Sequence, residues 1–179
     1  NKHKNSINSP FQQAFKLSTH GKWGPVHVNI PRNVLSGIEK YDTFKVESKI
    51  ENKKINENDL EKIIYLIDQS SKPVIVCGAG VKNSKTQKEI IHLSNNLNIP
   101  IVSSAGHGDV ISYEHELYSG QMGPRGNKVA SSLVKEADLI LAIGTRLGFN
   151  STFYSYDNIS KSAKIVQIDI DPIAIGRYF

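Results

Sequence analysis

Four short apolar runs without polar alternation divide the chain after residue 70. Such runs are typical of parallel strands buried on both faces, and they lie at residues 74–77, 99–102, 139–143 and 164–168. Apolar positions with helical spacing precede the first three runs. From residue 57 onward the order is therefore helix, strand, helix, strand, long loop, helix, strand, loop and strand. This alternation predicts an α/β fold: a parallel Rossmann-like sheet with helices on both faces and right-handed crossovers.

The chain before residue 57 has a different pattern. Apolar residues with helical spacing predict a helix within residues 10–21. Valine and isoleucine alternate with polar residues in 24–31, which predicts a strand. Residues 36–56 are rich in Lys, Glu and Asn and predict a linker. We therefore expect residues 1–35 to be the end of one domain and residues 57–179 to form a second.

Residues 106–127 form a long stretch without periodic apolar positions, and a loop of this length in a compact domain usually has a function. His107, Asp109 and the run Glu114-His115-Glu116 carry side chains that can ligate metals. Their spacing matches no standard zinc pattern, so we expect a solvated loop and no metal site. Asn127 is predicted to cap the helix that follows the loop.

Small, cationic and acidic residues follow the predicted strands, at the positions where open α/β sheets bind ligands. The Gly-Ala-Gly triplet at 78–80 lies between a strand and a helix but lacks the third glycine of a dinucleotide fingerprint. It is compatible with a phosphate on its N–H groups, or with a tight turn alone and Ser84 capping the helix. Arg125 precedes Gly126 and Arg146 lies two residues after Gly144, and each arginine could hold an anion or pair with a carboxylate. Asp169 ends the last strand and can accept hydrogen bonds from hydroxyl groups.

The net charge of +5 arises from 22 basic and 17 acidic residues that are interleaved along the chain. Nucleic-acid binding needs clustered Lys and Arg, so we expect no nucleic-acid partner. No apolar run has the length of a membrane span, so we expect no membrane partner. Cys77 is the only cysteine and lies in an apolar run, which predicts a buried thiol, no internal disulfide and a reducing, cytoplasmic compartment. Because the chain begins at Asn1 and stops at Phe179, where a helix is expected to start, we expect a piece of a longer protein.

Six motifs follow one another in the order and spacing of one enzyme group: GPVHVNIPRNVL, KPVIVCGAGV, NIPIVSSAGHGD, GPRG, ADLILAIGTRL and AKIVQIDIDPIAIGR. Over residues 10–179 the chain resembles the thiamine-diphosphate-dependent enzymes of the acetolactate synthase and sulfoacetaldehyde acetyltransferase group. The resemblance implies that residues 1–35 are the C-terminal end of the pyrimidine-binding domain and that 57–179 are most of the central domain. It also implies that the activating glutamate precedes Asn1 and that the domain carrying Mg²⁺ and the thiamine diphosphate follows Phe179. No catalytic or metal-ligating residue is then expected in this chain, which alone should be inactive.

The same resemblance implies a cofactor-binding region in the central domain. This domain binds FAD in acetolactate synthases and an ADP-type nucleotide or nothing in relatives. The cofactor-contacting positions correspond here to Gly78, Ala79, Gly80, Ser104, Gly123, Arg125, Gly126, Gly144, Thr145, Arg146, Leu147, Asp169 and Ile170. The segments NIPRNVLSG, GTRLG and IDIDPIAIGR are similar to those of the sulfoacetaldehyde acetyltransferase-like members, which lack FAD. The resemblance therefore leaves open whether this chain binds FAD.

The implied function is a carboligase or acyltransferase that acts on 2-oxoacids such as pyruvate, within a homo-oligomer. The first alternative is a sulfoacetaldehyde acetyltransferase-like enzyme without FAD, with sulfoacetaldehyde as the substrate. The second is a nucleotide-binding or purely structural module without thiamine chemistry.

Overall fold

A computed structural model describes residues 8–37 and 55–179, and the chain separates into two compact units, Asn1–Lys54 and Ile55–Phe179. The described part of the first unit contains two helices, α1 (Asn8–Thr19) and α2 (Arg32–Leu35). Helix α1 confirms the helix predicted after Pro10. The predicted linker lies mostly in residues 38–54, outside the described residues.

The strand predicted at 24–31 is wrong, since these residues form no strand in the structure. A strand exists only where a neighbouring strand accepts and donates its backbone hydrogen bonds. Within residues 8–37 the chain provides helices α1 and α2 and no second strand. Side-chain alternation alone was therefore not sufficient to predict pairing.

The second unit is built around one parallel sheet. Its elements are α3 (Glu57–Asp68), β1 (Pro73–Cys77), α4 (Ala79–Ser84), α5 (Gln87–Leu97), β2 (Ile101–Ser103), β3 (Tyr118–Gln121), α6 (Lys128–Glu136), β4 (Leu139–Ile143), α7 (Phe149–Thr152) and β5 (Lys164–Ile168). The strands lie in the order β3-β2-β1-β4-β5, and every neighbouring pair is parallel. This arrangement confirms the predicted α/β class with a parallel Rossmann-like sheet.

Two apolar cores cover the two faces of the sheet, which explains why the strands show no polar alternation. In β1, Val74 and Val76 belong to one core, while Ile75 and Cys77 belong to the other. Helix α6 contributes to the first core, and helices α4 and α5 contribute to the second through Val81 and Ile90. Both faces of each central strand are therefore dry, as parallel sheets require.

Asparagine side chains begin two of the helices, and Asn127 is one of them, as predicted. The Asn56 side chain accepts a hydrogen bond from the Asn58 N–H at 3.1 Å and caps α3. The Asn127 side chain accepts one from the Val129 N–H at 2.8 Å and caps α6. Each bond satisfies one of the N–H groups that a helix leaves without an internal partner.

The helix that the sequence predicts from about Ser84 to Leu97 begins only at Gln87, and a short helix that was not predicted, α4, precedes it. Lys85 adopts a left-handed backbone (φ +58°) that ends α4, and α5 begins at Gln87. Ser84 is the last residue of α4, and its hydroxyl donates to the Gly80 carbonyl at 2.7 Å. The prediction that Ser84 caps the following helix is therefore wrong.

The predicted loop at 106–127 contains a fifth strand. Strand β3 has the sequence YSGQ, which lacks an apolar run, and it is held by parallel pairing with β2. Just beyond its ends, the Ile101 N–H donates to Leu117 O at 2.8 Å and the Met122 N–H donates to Ser103 O at 2.9 Å. Among the described residues, no helix is both long enough and apolar enough to cross a membrane.

Candidate functional site

The order of the strands reverses beside β1. The chain moves outward from β1 to β2 and β3, then returns to the other side of β1 with β4 and β5. Open α/β sheets bind ligands at such a reversal, just outside the carboxyl ends of the strands. Because all five strands are parallel, their carboxyl ends share one edge, which we call the carboxyl edge.

Every residue that the resemblance assigned to a cofactor follows the carboxyl end of a strand. The positions are Gly78, Ala79 and Gly80 after β1, Ser104 after β2, Gly123, Arg125 and Gly126 after β3, Gly144, Thr145, Arg146 and Leu147 after β4, and Asp169 and Ile170 after β5. The fold therefore brings residues as far apart in sequence as Gly78 and Ile170, 92 positions, to the same edge.

The glycines after β1 and β4 touch each other across the strand-order reversal. A Cβ atom on Gly80 would lie 2.5 Å from the Gly144 Cα, and one on Gly144 would lie 2.6 Å from the Gly80 Cα. The Gly78 N–H donates to Ile143 O and the Gly80 N–H donates to Gly144 O, both at 3.0 Å. These glycines thus allow two backbones to pack directly, and the N–H of Gly80 is already used in that contact.

The turn after β4 exposes the side chain of Arg146 and buries that of the neighbouring Leu147. Leu147 has a left-handed backbone (φ +49°), and its side chain is 2% exposed in the core. The Thr145 hydroxyl oxygen accepts from the Leu147 N–H at 3.3 Å, and the Thr152 hydroxyl donates to Leu147 O at 3.0 Å. Arg146 lies between the two buried residues and is exposed to solvent.

The turn after β3 presents a second exposed arginine. Gly123 has a left-handed backbone (φ +104°), and a Cβ atom there would lie 2.8 Å from the Asn150 carbonyl oxygen. The Gly126 N–H donates to Gly123 O at 2.9 Å and closes the turn around Arg125. Within the described residues neither Arg125 nor Arg146 forms an ion pair, so both charges are open to an anion.

After β5 the chain forms a succession of turns stabilised by aspartates. The Asp169 carboxylate accepts from the Asp171 N–H at 2.9 Å, and the Asp171 carboxylate accepts from the Ile173 N–H at 3.0 Å. Asp169 is half-buried, whereas Ile170 is exposed. A carboxylate oxygen has several lone pairs, so Asp169 retains acceptor capacity for a ligand hydroxyl.

An aromatic cluster beside Arg146 was missed by the sequence analysis. Phe149 and Phe153 contact edge to face at 5.0 Å between ring centroids, and Tyr154 stacks on Tyr178 at 4.3 Å. The side-chain hydrogen bond between Tyr154 and Tyr178 raises the pKa of Tyr154, while the nearby positive charge of Arg146 acts in the opposite direction. The half-exposed rings carry no helical or strand periodicity, so only the tertiary structure groups them.

The loop that contains His107 and His115 does not assemble a metal site. Asp109 pairs with Lys82, which lowers the pKa of the Asp109 carboxyl, and the His115 Nε2 atom lies 3.2 Å from Asn95 Oδ1. In residues 8–37 and 55–179, no three His, Cys, Asp or Glu side chains are placed to share a metal ion.

Cys77 is buried on β1, as predicted. Burial raises the pKa of its thiol to about 12, because the thiolate would lose its hydration in the apolar core. The thiol is therefore protonated at neutral pH and does not serve as a nucleophile.

A family model described as the thiamine pyrophosphate enzyme, central domain, matches residues 60–179, about two thirds of the chain. The chain belongs to this family. The two cores, the parallel sheet and the carboxyl edge described above are thus those of a thiamine pyrophosphate enzyme central domain.

Similar proteins include acetolactate synthase large subunits and sulfoacetaldehyde acetyltransferases. The chain is 33% identical over 175 residues to a probable acetolactate synthase large subunit of Methanococcus aeolicus, covering 93% of this chain and 29% of the relative. A probable acetolactate synthase large subunit of Methanocaldococcus jannaschii is 31% identical over 177 residues, which are 96% of this chain and 30% of the relative. A sulfoacetaldehyde acetyltransferase of Roseovarius nubinhibens is 32% identical over 154 residues, which are 85% of this chain and 25% of the relative. The chain therefore spans about three tenths of the length of these acetolactate synthase relatives.

Proposed function

We propose that the chain is part of a thiamine-diphosphate-dependent enzyme of acetolactate synthase type. Such an enzyme releases the carboxylate of a 2-oxoacid such as pyruvate as carbon dioxide and transfers the remaining two-carbon unit to an acceptor. The observation that carries the proposal is the extent of the similarity: it covers 93% of this chain and therefore reaches beyond the central-domain match into the first unit. A likeness confined to a nucleotide-binding fold would not extend into that unit.

In this proposal residues 1–35 are the end of the pyrimidine-binding domain and residues 57–179 belong to the central domain. Thiamine diphosphate and Mg²⁺ are bound by parts of the protein other than the described residues, where the side chains offer no metal cluster. The intact enzyme is a cytoplasmic homo-oligomer. The contribution of the central domain is to bind an adenine nucleotide, FAD or an ADP-type molecule, at the carboxyl edge.

The groups at the carboxyl edge fit the chemistry of such a nucleotide. Arg125 and Arg146 are exposed guanidinium groups without an ion pair in the described residues, and they suit the negative charges of a diphosphate. Asp169 suits the hydroxyl groups of a ribose, as acidic residues do in other nucleotide-binding sheets. The glycine contact uses the N–H of Gly80, so arginine side chains rather than the Gly-Ala-Gly backbone supply the main anion contacts.

The second candidate is a sulfoacetaldehyde acetyltransferase-like enzyme without FAD. It is supported by the sulfoacetaldehyde acetyltransferase relative at 32% identity over 154 residues. The two candidates share thiamine chemistry and differ in the donor, in the acceptor of the two-carbon unit and in the flavin.

The test uses the intact protein, purified without added cofactor. Its absorption spectrum is recorded after desalting, and product formation is measured with thiamine diphosphate and Mg²⁺. Acetolactate formed from pyruvate is the expected result, and a bound flavin spectrum would add support for FAD. Acetyl transfer from sulfoacetaldehyde to phosphate by a colourless protein would support the second candidate. A protein without either activity, or with activity independent of thiamine diphosphate, would contradict both.

A further inference from the structure

One side chain of β5 connects the two loops that carry the proposed ligand groups. The Gln167 Nε2 atom donates to the Thr145 carbonyl at 3.1 Å, and its Oε1 atom accepts from the Gly176 N–H at 2.9 Å. Gln167 is opposite Ala142 in the parallel register of β4 and β5, and it is half-buried. It is therefore placed between the loop after β4 and the loop after β5.

The first of these loops presents the cation. The Thr145 carbonyl that Gln167 holds is directly followed by Arg146, and then by the buried side chain of Leu147. Two hydrogen bonds therefore fix the residue on each side of Arg146: one from Gln167 to Thr145 and one from Thr152 to Leu147. The backbone that carries the guanidinium group is anchored although the group itself is exposed.

The second loop presents the carboxylate. It starts at Asp169, continues through the turn at Asp171 and returns at Gly176, whose left-handed backbone (φ +66°) directs its N–H to Gln167. Local turns and the buried side chain of Ala174 also hold residues 169–176. The bond to Gln167 thus ties the far end of the loop back to the strand from which it leaves.

We propose that Gln167 is a positioning residue that sets the separation of Arg146 and Asp169, so that one nucleoside diphosphate contacts both groups at once. The inference rests on the nucleotide site of the proposed function and adds the residue that couples its anion-binding half to its hydroxyl-binding half. Two groups that are held at a fixed spacing bind a ligand that spans them more tightly than two groups that move independently.

The primary amide is the side chain that this position requires. It donates and accepts through neighbouring atoms, and the structure uses one function for each loop. Glutamate has the same length but no donor, so Gln167→Glu retains an acceptor for Gly176 and directs an oxygen at the Thr145 carbonyl. Methionine has a similar length and provides neither a strong donor nor a strong acceptor, so Gln167→Met removes the side-chain hydrogen bond to each loop.

The test compares variants of the intact protein by calorimetric titration with FAD, ADP, pyrophosphate and adenosine. Gln167→Met is expected to weaken FAD or ADP binding roughly tenfold or more, since a spanning ligand loses the gain from simultaneous contact. Pyrophosphate and adenosine each reach only one half of the site, so their affinities should change less than about twofold on the same argument. Gln167→Glu should lie between Gln167→Met and the parent protein.

The matched control is Asn95→Leu. Asn95 also uses its side-chain amide to contact a loop, because its Oδ1 atom lies 3.2 Å from His115 Nε2, but this contact lies just before the amino end of β3, away from the carboxyl edge. This control should bind all four ligands as the parent protein does. A Gln167→Met protein that binds FAD or ADP like the parent would overturn the proposal. So would a variant that loses pyrophosphate as strongly as the nucleotides, since the defect would then be general damage to the site.

The two proposals can fail separately. If the parent protein forms acetolactate but binds neither FAD nor ADP, the positioning role of Gln167 is overturned and the thiamine-dependent activity stands. If the parent protein binds ADP and Gln167→Met weakens that binding selectively, the positioning role stands even when no thiamine-dependent product is formed. Far-ultraviolet circular dichroism of each variant verifies that the fold is retained.

Discussion

The contact between Gly80 and Gly144 makes a quantitative prediction about stability. A Cβ atom on Gly144 would lie 2.6 Å from Gly80 Cα and 2.7 Å from Val81 N, both of which are backbone atoms that cannot rotate away. The backbone of Gly144 is also left-handed (φ +61°), which costs an alanine about 1–2 kcal/mol. Forcing a methyl group into a well-packed site adds about 1–3 kcal/mol. Gly144→Ala should therefore destabilise the protein by about 2–5 kcal/mol.

Gly176→Ala is the matched control, because Gly176 has nearly the same backbone angle (φ +66°) and nothing lies within 4 Å of its added Cβ. It should lose only the conformational part, about 1–2 kcal/mol. Thermal unfolding of the purified proteins measures the difference, which at about 2 kcal/mol amounts to roughly 4–8 °C for a protein of this size. Gly80→Ala supplies an independent steric test, since its Cβ would lie 2.5 Å from Gly144 Cα without a positive φ. Equal losses in Gly144→Ala and Gly176→Ala would refute a rigid contact between the two loops.

Three further predictions concern single side chains. The Asp138 carboxylate accepts hydrogen bonds from the Ser70 hydroxyl and from the N–H groups of Ser71 and Lys72, and these bonds lower its pKa. Asp138 should therefore stabilise the fold relative to Asp138→Asn above about pH 4, which is near the pKa of an unfolded aspartate. This stabilisation should be lost as the pH falls through the lower pKa of the folded state. Urea unfolding across this pH range would detect the change, and a difference that does not depend on pH would contradict it. Cys77 should resist aromatic disulfide reagents at pH 8 in the native protein and react after unfolding, because burial raises its pKa to about 12. Rapid labelling of the native protein, monitored by absorbance, would show that the thiol is not buried. Asn127→Ala should cost about 1 kcal/mol in chemical denaturation through loss of the α6 cap, and an unchanged midpoint would show that the cap contributes nothing.

The carboxyl-edge positions could be predicted because their placement follows from strand ends. Gly144 and Asp169 come directly after apolar runs, and parallel strands place such residues at one edge of a sheet. Their interactions could not be predicted in the same way. The sequence of the Gly-Ala-Gly triplet was compatible with a phosphate site or with a tight turn. The choice between the two depends on the Gly144 backbone, 64 residues beyond Gly80. Gln167 was missed because a single polar residue in a strand carries no signal until its two partners are known.

The sequence by itself determined the strands β1, β4 and β5 and the class of fold. Strands buried on both faces are apolar at every position, so β1 and β4 could be delimited from their composition alone. The caps at Asn56 and Asn127 were also determined locally, since each side chain bonds an N–H group two residues away.

Only the tertiary structure decided which segments pair and which polar groups meet. Strand β3 has no apolar run and exists through its hydrogen bonds to β2, whereas residues 24–31 have the right alternation and form no strand in the described part of their unit. The glycine contact between Gly80 and Gly144 and the two hydrogen bonds of Gln167 likewise join residues that are distant in sequence. The physical reason is the same in each case: a hydrogen bond or a close backbone approach depends on both partners, and local sequence specifies only one of them.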